Sequence, residues 1–247
     1  YSHNENEKAY HFLKEQLTEA MSQNRDDKVL FLLSELMGYY RVTSQFELGN
    51  KMAIQAIKIL THHGLEDSIA AATTYLNIAT LYRVQGQYSY SLMMYKKCEQ
   101  IYSEHLNPND ERYASFYNNV SLLYQETGEY EQAIDYELKA LSIIEKIKNC
   151  EVEQAITYTN LSAMYNAVNN QDEAKKCLNK AIALFKIFGV NDPHYYAALS
   201  LKAESLYHDK EYSKAIDLYD EVLDGIEKNY GKSKEYYIVQ ENKDRVI

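Results

Sequence analysis

The chain has 247 residues and a formal net charge of −10, and its residues are 46% hydrophobic and 25% charged. These proportions are typical of globular proteins and exclude a disordered chain. The lysines and arginines are scattered, so the sequence lacks the positive face that nucleic acid binding requires, and no apolar run is long enough for a membrane span. We therefore expect neither a nucleic acid nor a membrane partner, and a cytoplasmic location. The abundance of Tyr, Asn, Ile and Lys favours a bacterial source.

Sequence signals of catalysis are sparse. The three cysteines, Cys98, Cys150 and Cys177, have no CxxC spacing, which predicts reduced structural thiols. The histidines form no HExxH motif, and His62 and His63 are expected as a solvated pair in a loop. No phosphate-binding glycine loop or nucleophile elbow occurs either. The sequence thus predicts a protein that is not an enzyme and needs no cofactor or metal.

The elements in chain order are helices. Only 2 prolines and 8 glycines occur, which favours long helices over many short strands. The first 25 residues predict one helix, roughly Asn4 to Gln23, that caps the fold. Its inward residues are expected to be Ala9, Phe12, Leu13, Leu17 and Met21.

After this helix, one short phrase returns five times, as in LMGYY, IATLY, VSLLY, LSAMY and AESLY. It ends on an anchor tyrosine, and the anchors are spaced 42, 42, 41 and 42 residues apart: Tyr40, Tyr82, Tyr124, Tyr165 and Tyr207. A small residue follows nine residues later, or eight in the last repeat: Gly49, Ser91, Ala133, Ala174 and Ala215. Such a period indicates a repeat fold.

Each repeat predicts a pair of antiparallel helices. Counting from the anchor, offsets 0, −3, −4 and −7 fall on one stripe of a first helix, and that stripe is apolar, aromatic or small. The stripe is expected to bury six tyrosines: Tyr75, Tyr117, Tyr158, Tyr82, Tyr124 and Tyr165. A glycine such as Gly86 or Gly128 can adopt the left-handed conformation that ends a helix. In the fifth repeat the turn is expected to be one residue short, with Ser200 on the stripe.

This pattern resembles the tetratricopeptide repeat, in the 42-residue form found in kinesin light chains. The resemblance covers five repeats, about 26–66, 67–108, 109–149, 150–190 and 191–230. Residues 231–247 predict a C-terminal capping helix, with Gln240, Lys243 and Asp244 on its polar outer face. The resemblance implies an all-α, right-handed α-solenoid whose first helices line a concave groove.

The groove-facing side of each first helix lies opposite the buried stripe, near offsets −9, −5 and −2. Offset −5 holds Glu35, then three asparagines, Asn77, Asn119 and Asn160, and finally Lys202. In tetratricopeptide families the asparagine at this position is commonly a ligand contact. Its amide can donate to and accept from an extended peptide at once. The other expected groove residues are Asn118, Thr73, Ser115, Thr80, Leu122, Arg83 and Gln125.

Two interpretations of the asparagines stay open at this stage. Each can hold a peptide, or each can bond to the neighbouring helix and fix the stacking of repeats. The expected function is a scaffold or adaptor that binds a protein or peptide segment, and the alternative is a peptide-sensing regulatory receptor whose output domain is absent from this chain. Lysines and arginines are missing at the offsets that would hold an acidic peptide tail, so such a ligand is not expected.

Overall fold

The computed structural model describes the backbone of residues 3–246 and the side chains of residues 8–246. Every regular element in that part of the chain is an α-helix, which confirms the predicted all-α class. The twelve helices are α1 (His3–Ser22), α2 (Asp26–Val42), α3 (Phe46–His63), α4 (Ile69–Val84), α5 (Tyr88–His105), α6 (Arg112–Glu126), α7 (Tyr130–Ile144), α8 (Glu151–Ala167), α9 (Gln171–Phe188), α10 (Pro193–His208), α11 (Tyr212–Tyr230) and α12 (Lys234–Asp244).

The helices form two compact units, residues 1–123 and 124–247. In unit 1, α1 packs on α2, and α2 and α4 form antiparallel pairs with α3 and α5. In unit 2, α8 pairs with α9 and α10 with α11, while α12 packs on α11. First helices of neighbouring repeats also touch: α2 contacts α4, and α8 contacts α10.

One turn recurs at every junction from a first helix to its second helix. The carbonyl of the anchor residue accepts from the N–H five residues later, for example Tyr82 from Gln87 at 2.9 Å. The residue four after the anchor has a positive φ: Ser44, Gly86, Gly128, Asn169 and Lys210. This is the Schellman arrangement, which satisfies the last carbonyls of a helix.

The turn corrects the register of the fifth repeat. There Glu211 donates to the carbonyl of Leu206 at 2.8 Å, so Leu206 and not Tyr207 is the fifth anchor. Leu206 lies 41 residues after Tyr165 and nine before Ala215, and the turn is therefore of normal length. The predicted short turn was wrong, because the tyrosine beside the anchor was mistaken for it. Tyr207 is 37% exposed instead.

Two further assignments shift with this register. Leu199, which is 4% exposed, occupies the stripe offset of −7 that was assigned to Ser200. Lys202 moves from offset −5 to offset −4, and Leu201 takes the position equivalent to Asn77.

Lys210→Gly is expected to raise the free energy of unfolding by about 0.5–1 kcal/mol. Lys210 has a φ of 64° where two other repeats have glycine, and its side chain is exposed. A residue with a Cβ loses about 1–2 kcal/mol in this conformation, and glycine regains part of that after its greater unfolded-state entropy. Urea unfolding measures the change, with Gly86→Ala as the matched destabilising control. A clear loss of stability on Lys210→Gly would contradict the assigned turn.

Close approach of the paired helices explains the small residues of the repeat. Ser91 is fully buried on α5, and its hydroxyl donates to the carbonyl of Ala79 on α4 at 2.8 Å. In unit 2 the roles are reversed, since Ser162 on α8 donates to the carbonyl of Ala174 on α9 at 2.9 Å. A serine at either position thus satisfies its hydroxyl on the partner helix, and only a small side chain fits.

The stripe tyrosines are buried to different extents. Tyr75 and Tyr158, at offset −7, are 4% and 8% exposed. A lysine of the second helix lies over each ring, with Lys97 5.1 Å from the centroid of Tyr75 and Lys180 4.9 Å from that of Tyr158. These cation–π pairs recur at the same offset and were not predicted.

The remaining tyrosines of the predicted stripe are only half buried: Tyr117, Tyr82, Tyr124 and Tyr165. The prediction that they lie in the core was therefore wrong in degree. Tyr82 and Tyr124 are anchors in the last turn of their helices, and each ring contacts a tyrosine of the second helix. Tyr124 contacts Tyr136 in this way, with ring centroids 5.5 Å apart.

Helix α1 differs from its predicted orientation. Leu17 and Ala20 are buried and Leu13 is half buried, but Ala9, Phe12 and Met21 are exposed. Because Tyr10 stacks on Tyr39 of α2, with ring centroids 4.9 Å apart, the helix is rotated from the expected face.

At the other end, α12 buries Val239, and Lys243 forms an ion pair with Asp220 of α11. Gln240 is half buried and Asp244 is exposed. The outermost positions of the two expected capping segments, residues 1, 2 and 247, lie outside the described residues. The division into caps and five repeats stays a prediction.

Candidate peptide-binding surface

The open side of α4, and of α6 within unit 1, is polar. Thr73 and Ser115, both at offset −9, are exposed, and the two asparagines at offset −5, Asn77 and Asn119, are half buried. We call these four residues the first-helix surface. A ligand can reach all four side chains.

Two residues expected in the groove lie beneath this surface. Thr80 and Arg83 are only 5% and 8% exposed. The hydroxyl of Thr80 lies 2.9 Å from the carbonyl of Leu76 and 3.4 Å from the hydroxyl of Tyr95. Burial raises the pKa of Tyr95, and hydrogen bonds with Thr80 and Arg83 lower it. Offsets −2 and +1 are therefore filled by packing in this repeat, and neither side chain is open to a ligand.

Asn119 is engaged within unit 1. Its Nδ2 donates to the carbonyl of Ser115 at 2.8 Å, and its Oδ1 lies 3.3 Å from the hydroxyl of Thr80 on α4. That hydroxyl has one proton, which serves Asn119 or the carbonyl of Leu76 but not both at once. Asn119 thus links two neighbouring first helices.

Asn160 is engaged more strongly, in unit 2. Its Nδ2 donates at 3.0 Å to Oε1 of Glu137 on α7, and Glu137 is fully buried. A buried carboxylate requires hydrogen-bond donors, because it has lost its water. This contact gives Asn160 a structural role.

Asn77 differs from the other two. It is half buried, and its amide makes no side-chain hydrogen bond within the described part of the chain. The residue equivalent to Thr80 one repeat earlier is Gly38, which has no hydroxyl. A Cβ added to Gly38 would meet no atom within 4 Å, so the space beside it is open. The register that places Asn119 against Thr80 places Asn77 against Gly38, so both amide groups of Asn77 are left for other partners.

Four other predicted site residues are less exposed than Thr73 and Ser115. Asn118, Leu122, Gln125 and Lys202 are all half buried. At its corrected offset, Lys202 lies near Asp209, whose pKa is lowered mainly by a hydrogen bond from Lys175 and also by the charge of Lys202.

Sequence reasoning missed one exposed aromatic residue on the same side of the helices. Phe31 lies at offset −9 of the first repeat, equivalent to Thr73, and is 61% exposed. The offset count would have found it, had it been extended to the first repeat.

Two cysteines and one histidine outside this surface lie in surroundings that suit a structural role. Burial raises the pKa of the Cys98 thiol to about 12 and also raises that of Cys177, so neither thiol ionises readily at neutral pH. His63 pairs with Asp26 at 3.0 Å, where α3 returns to the start of α2. Across residues 8–246, no group of three or more potential ligands is placed to hold a metal ion. No helix in the described chain is long and apolar enough to span a membrane.

Repeated helix pairs with one conserved turn define the class as a helical repeat protein. Residues 70–146 and 155–186 match models of the tetratricopeptide repeat. These two segments are tetratricopeptide repeats, as the sequence pattern indicated. No curated protein matches the sequence.

Solved structures share the fold at low identity. A kinesin light chain of nearly identical repeats from Podosopora anserina is 16% identical with a TM-score of 0.67, over 81% of this chain and 96% of that one. The apo quorum sensor NprR from B. thuringiensis is 16% identical with a TM-score of 0.74, over 97% of this chain and 66% of that one. NprR in complex with its cognate peptide NprX is 16% identical with a TM-score of 0.66, over 94% and 66%.

Proposed function

We propose that this protein is a scaffold or adaptor that binds an extended peptide or protein segment across the first-helix surface. The observation that carries the proposal is the amide of Asn77, which makes no side-chain hydrogen bond within the described chain and has Gly38 where Asn119 has Thr80.

The chemistry of an amide suits an extended ligand. A carboxamide donates from its nitrogen and accepts at its oxygen, so it pairs with a backbone C=O and N–H together. An extended segment has both groups free, whereas a helix uses them internally. Asn77 would therefore hold many sequences equally well, and selectivity would come from the side chains around it.

The structural and binding roles divide among the three asparagines. Asn119 and Asn160 bond to other helices, which supports the stacking role for these two. Asn77 lacks such a partner because glycine stands where Thr80 stands in the next repeat. In this proposal, a hydrogen bond from a ligand replaces the missing contact.

A peptide-sensing receptor is the second candidate. NprR supports it, since that quorum sensor has a solved complex with a peptide and this chain covers 66% of its length. An adaptor and a receptor would use the same binding surface. They differ in whether peptide binding changes the activity of a joined output domain.

Selection from a random heptapeptide display library tests peptide binding, the step that both candidate functions share. We expect selected peptides to bind the wild-type protein and to bind Asn77→Ala at least about fivefold more weakly, the scale of one lost hydrogen bond. The loss should be similar for unrelated selected peptides.

Asn160→Ala is the matched control for this experiment, because Asn160 stands at the same offset outside the first-helix surface and its amide already bonds to Glu137. Its affinity per folded molecule should be close to that of the wild type, while its melting temperature falls. Failure to select any peptide, or selected peptides whose affinity ignores Asn77, would overturn the proposal.

A further inference from the structure

An exposed stripe on α2 joins the first-helix surface. Asp27, Phe31 and Glu35 are spaced four residues apart, which places them on one face of the helix, and all three are exposed. Neither carboxylate has an ion pair within residues 8–246. The stripe thus presents an aromatic ring with a free negative charge one helical turn to either side.

Lys28, next to Asp27 in the sequence, makes no ion pair with this stripe within the described residues. The ammonium group of Lys28 donates to Oε1 of Gln16 on α1 at 2.7 Å. Phe12 lies one turn from Gln16 on the same face of α1 and is 61% exposed, as is Phe31. The bond between Lys28 and Gln16 ties this part of α1 to α2, and α1 carries a second exposed ring one turn from that bond.

The stripe leads to Gly38 on α2. Gly38 follows Glu35 by three residues, one further turn along the same side of α2. The repeat register that pairs Asn119 with Thr80 pairs Asn77 with Gly38, so a ligand held by the amide of Asn77 lies within about one turn of the Glu35 carboxylate.

We infer that the segment bound at this surface carries an apolar side chain between two basic ones, at alternate residues. This inference rests on the proposed function. Four residues of a helix span about 6 Å, and two residues of an extended chain span about 6.6 Å. Alternate side chains of an extended segment also face the same way, so the pattern basic–x–apolar–x–basic matches Glu35, Phe31 and Asp27.

Charge and hydrogen bonding both favour this ligand. The net charge of −10 draws a basic segment toward the protein and repels an acidic one. An extended segment also offers backbone groups to Asn77, whereas a helical partner would leave that amide unpaired. The unpaired carboxylates gain partners, and the exposed rings lose contact with water.

Three fluorescein-labelled synthetic peptides test the pattern. The first is acetyl-Gly-Lys-Ser-Leu-Ser-Lys-Gly, the second has glutamate in place of both lysines, and the third has serine in place of leucine. In fluorescence anisotropy at about 0.05 M salt, where screening is weak, the lysine peptide should bind at least about tenfold more tightly than the glutamate peptide. The serine peptide should bind at least about fivefold more weakly than the lysine peptide.

Variants locate the effect on the stripe. Phe31→Ala should weaken the lysine peptide, whereas Phe188→Ala, which removes a similarly exposed ring from α9, should not. Glu35→Lys should weaken the lysine peptide and improve the glutamate peptide. Glu47→Lys, the same charge change at an exposed site on α3, should have little effect.

The outcomes separate this inference from the proposed function. If affinity ignores Phe31→Ala and Glu35→Lys but still falls with Asn77→Ala, the inference is wrong and the proposed function stands. The same conclusion follows if library-selected peptides bind and the lysine peptide does not. If neither the synthetic nor the library peptides bind, both fail.

Discussion

Tyr40→Ala is expected to lower the free energy of unfolding by about 3–5 kcal/mol, the usual loss for removing a large buried side chain. Tyr40 is 2% exposed, and its hydroxyl lies 3.4 Å from that of Tyr10 on α1. Its ring also meets those of Tyr10 and Tyr39 edge to face. The substitution leaves a cavity where α1 joins α2 and removes these contacts.

Tyr207→Ala is the matched control. Tyr207 ends the repeated phrase of the fifth repeat, as Tyr40 ends that of the first, but it lies outside the core. With 37% of its surface exposed, Tyr207 should lose less than about 1 kcal/mol on truncation. Urea unfolding of both variants gives the comparison. Equal losses would mean that Tyr207 is an anchor after all and that the register based on Leu206 is wrong.

The second large effect is expected for Asn160→Ala, which removes a hydrogen bond to the buried carboxylate of Glu137. Glu137 is fully buried, and Nδ2 of Asn160 lies 3.0 Å from its Oε1. Removing one partner of a buried polar group leaves that group short of a hydrogen bond, which costs about 1–3 kcal/mol. We expect a loss of about 1–3 kcal/mol of unfolding free energy.

Asn77→Ala is the control at the same offset of another repeat. It breaks no side-chain hydrogen bond of the described chain, so its unfolding free energy should stay within about 0.5 kcal/mol of the wild type. A loss of less than about 0.5 kcal/mol of unfolding free energy for Asn160→Ala would show that the contact with Glu137 does not stabilise the fold.

Periodicity made the fold predictable. Repetition at 42 residues averages out local irregularities, and the stripe at offsets −3, −4 and −7 marks the same helix face several times. The pairing of first and second helices follows, because a short turn leaves only an antiparallel neighbour. Ser91 and Ser162 stand where other repeats have alanine, because the close approach of the paired helices admits only small side chains.

Single elements were less predictable. Helix α1 occurs once, so nothing in the repeat fixes its orientation, and its contacts through Tyr10 decided which face is buried. In the fifth repeat, the eight-residue spacing from Tyr207 to Ala215 was a visible signal that the anchor is Leu206.

The candidate site depended on contacts between repeats. The exposure of Thr80 and Arg83 is set by neighbouring helices, which helical geometry applied to one segment does not include. The difference between Asn77 and Asn119 likewise depends on a residue 39 positions earlier, Gly38 in one case and Thr80 in the other. Once that contact is known, the sequence is sufficient to predict the difference between the two asparagines.

Peptide affinity of the Gly38→Thr variant tests the central claim most directly. A threonine hydroxyl at this position would give Asn77 the partner that Thr80 gives Asn119. Helix propensity does not oppose the change, and an added Cβ would meet no atom within 4 Å. We predict that affinity for library-selected peptides falls at least about fivefold, as for Asn77→Ala, with no loss of unfolding free energy. Gly38→Ala, which adds no hydroxyl, should bind like the wild type. Unchanged affinity in a folded Gly38→Thr protein would contradict the role assigned to Asn77.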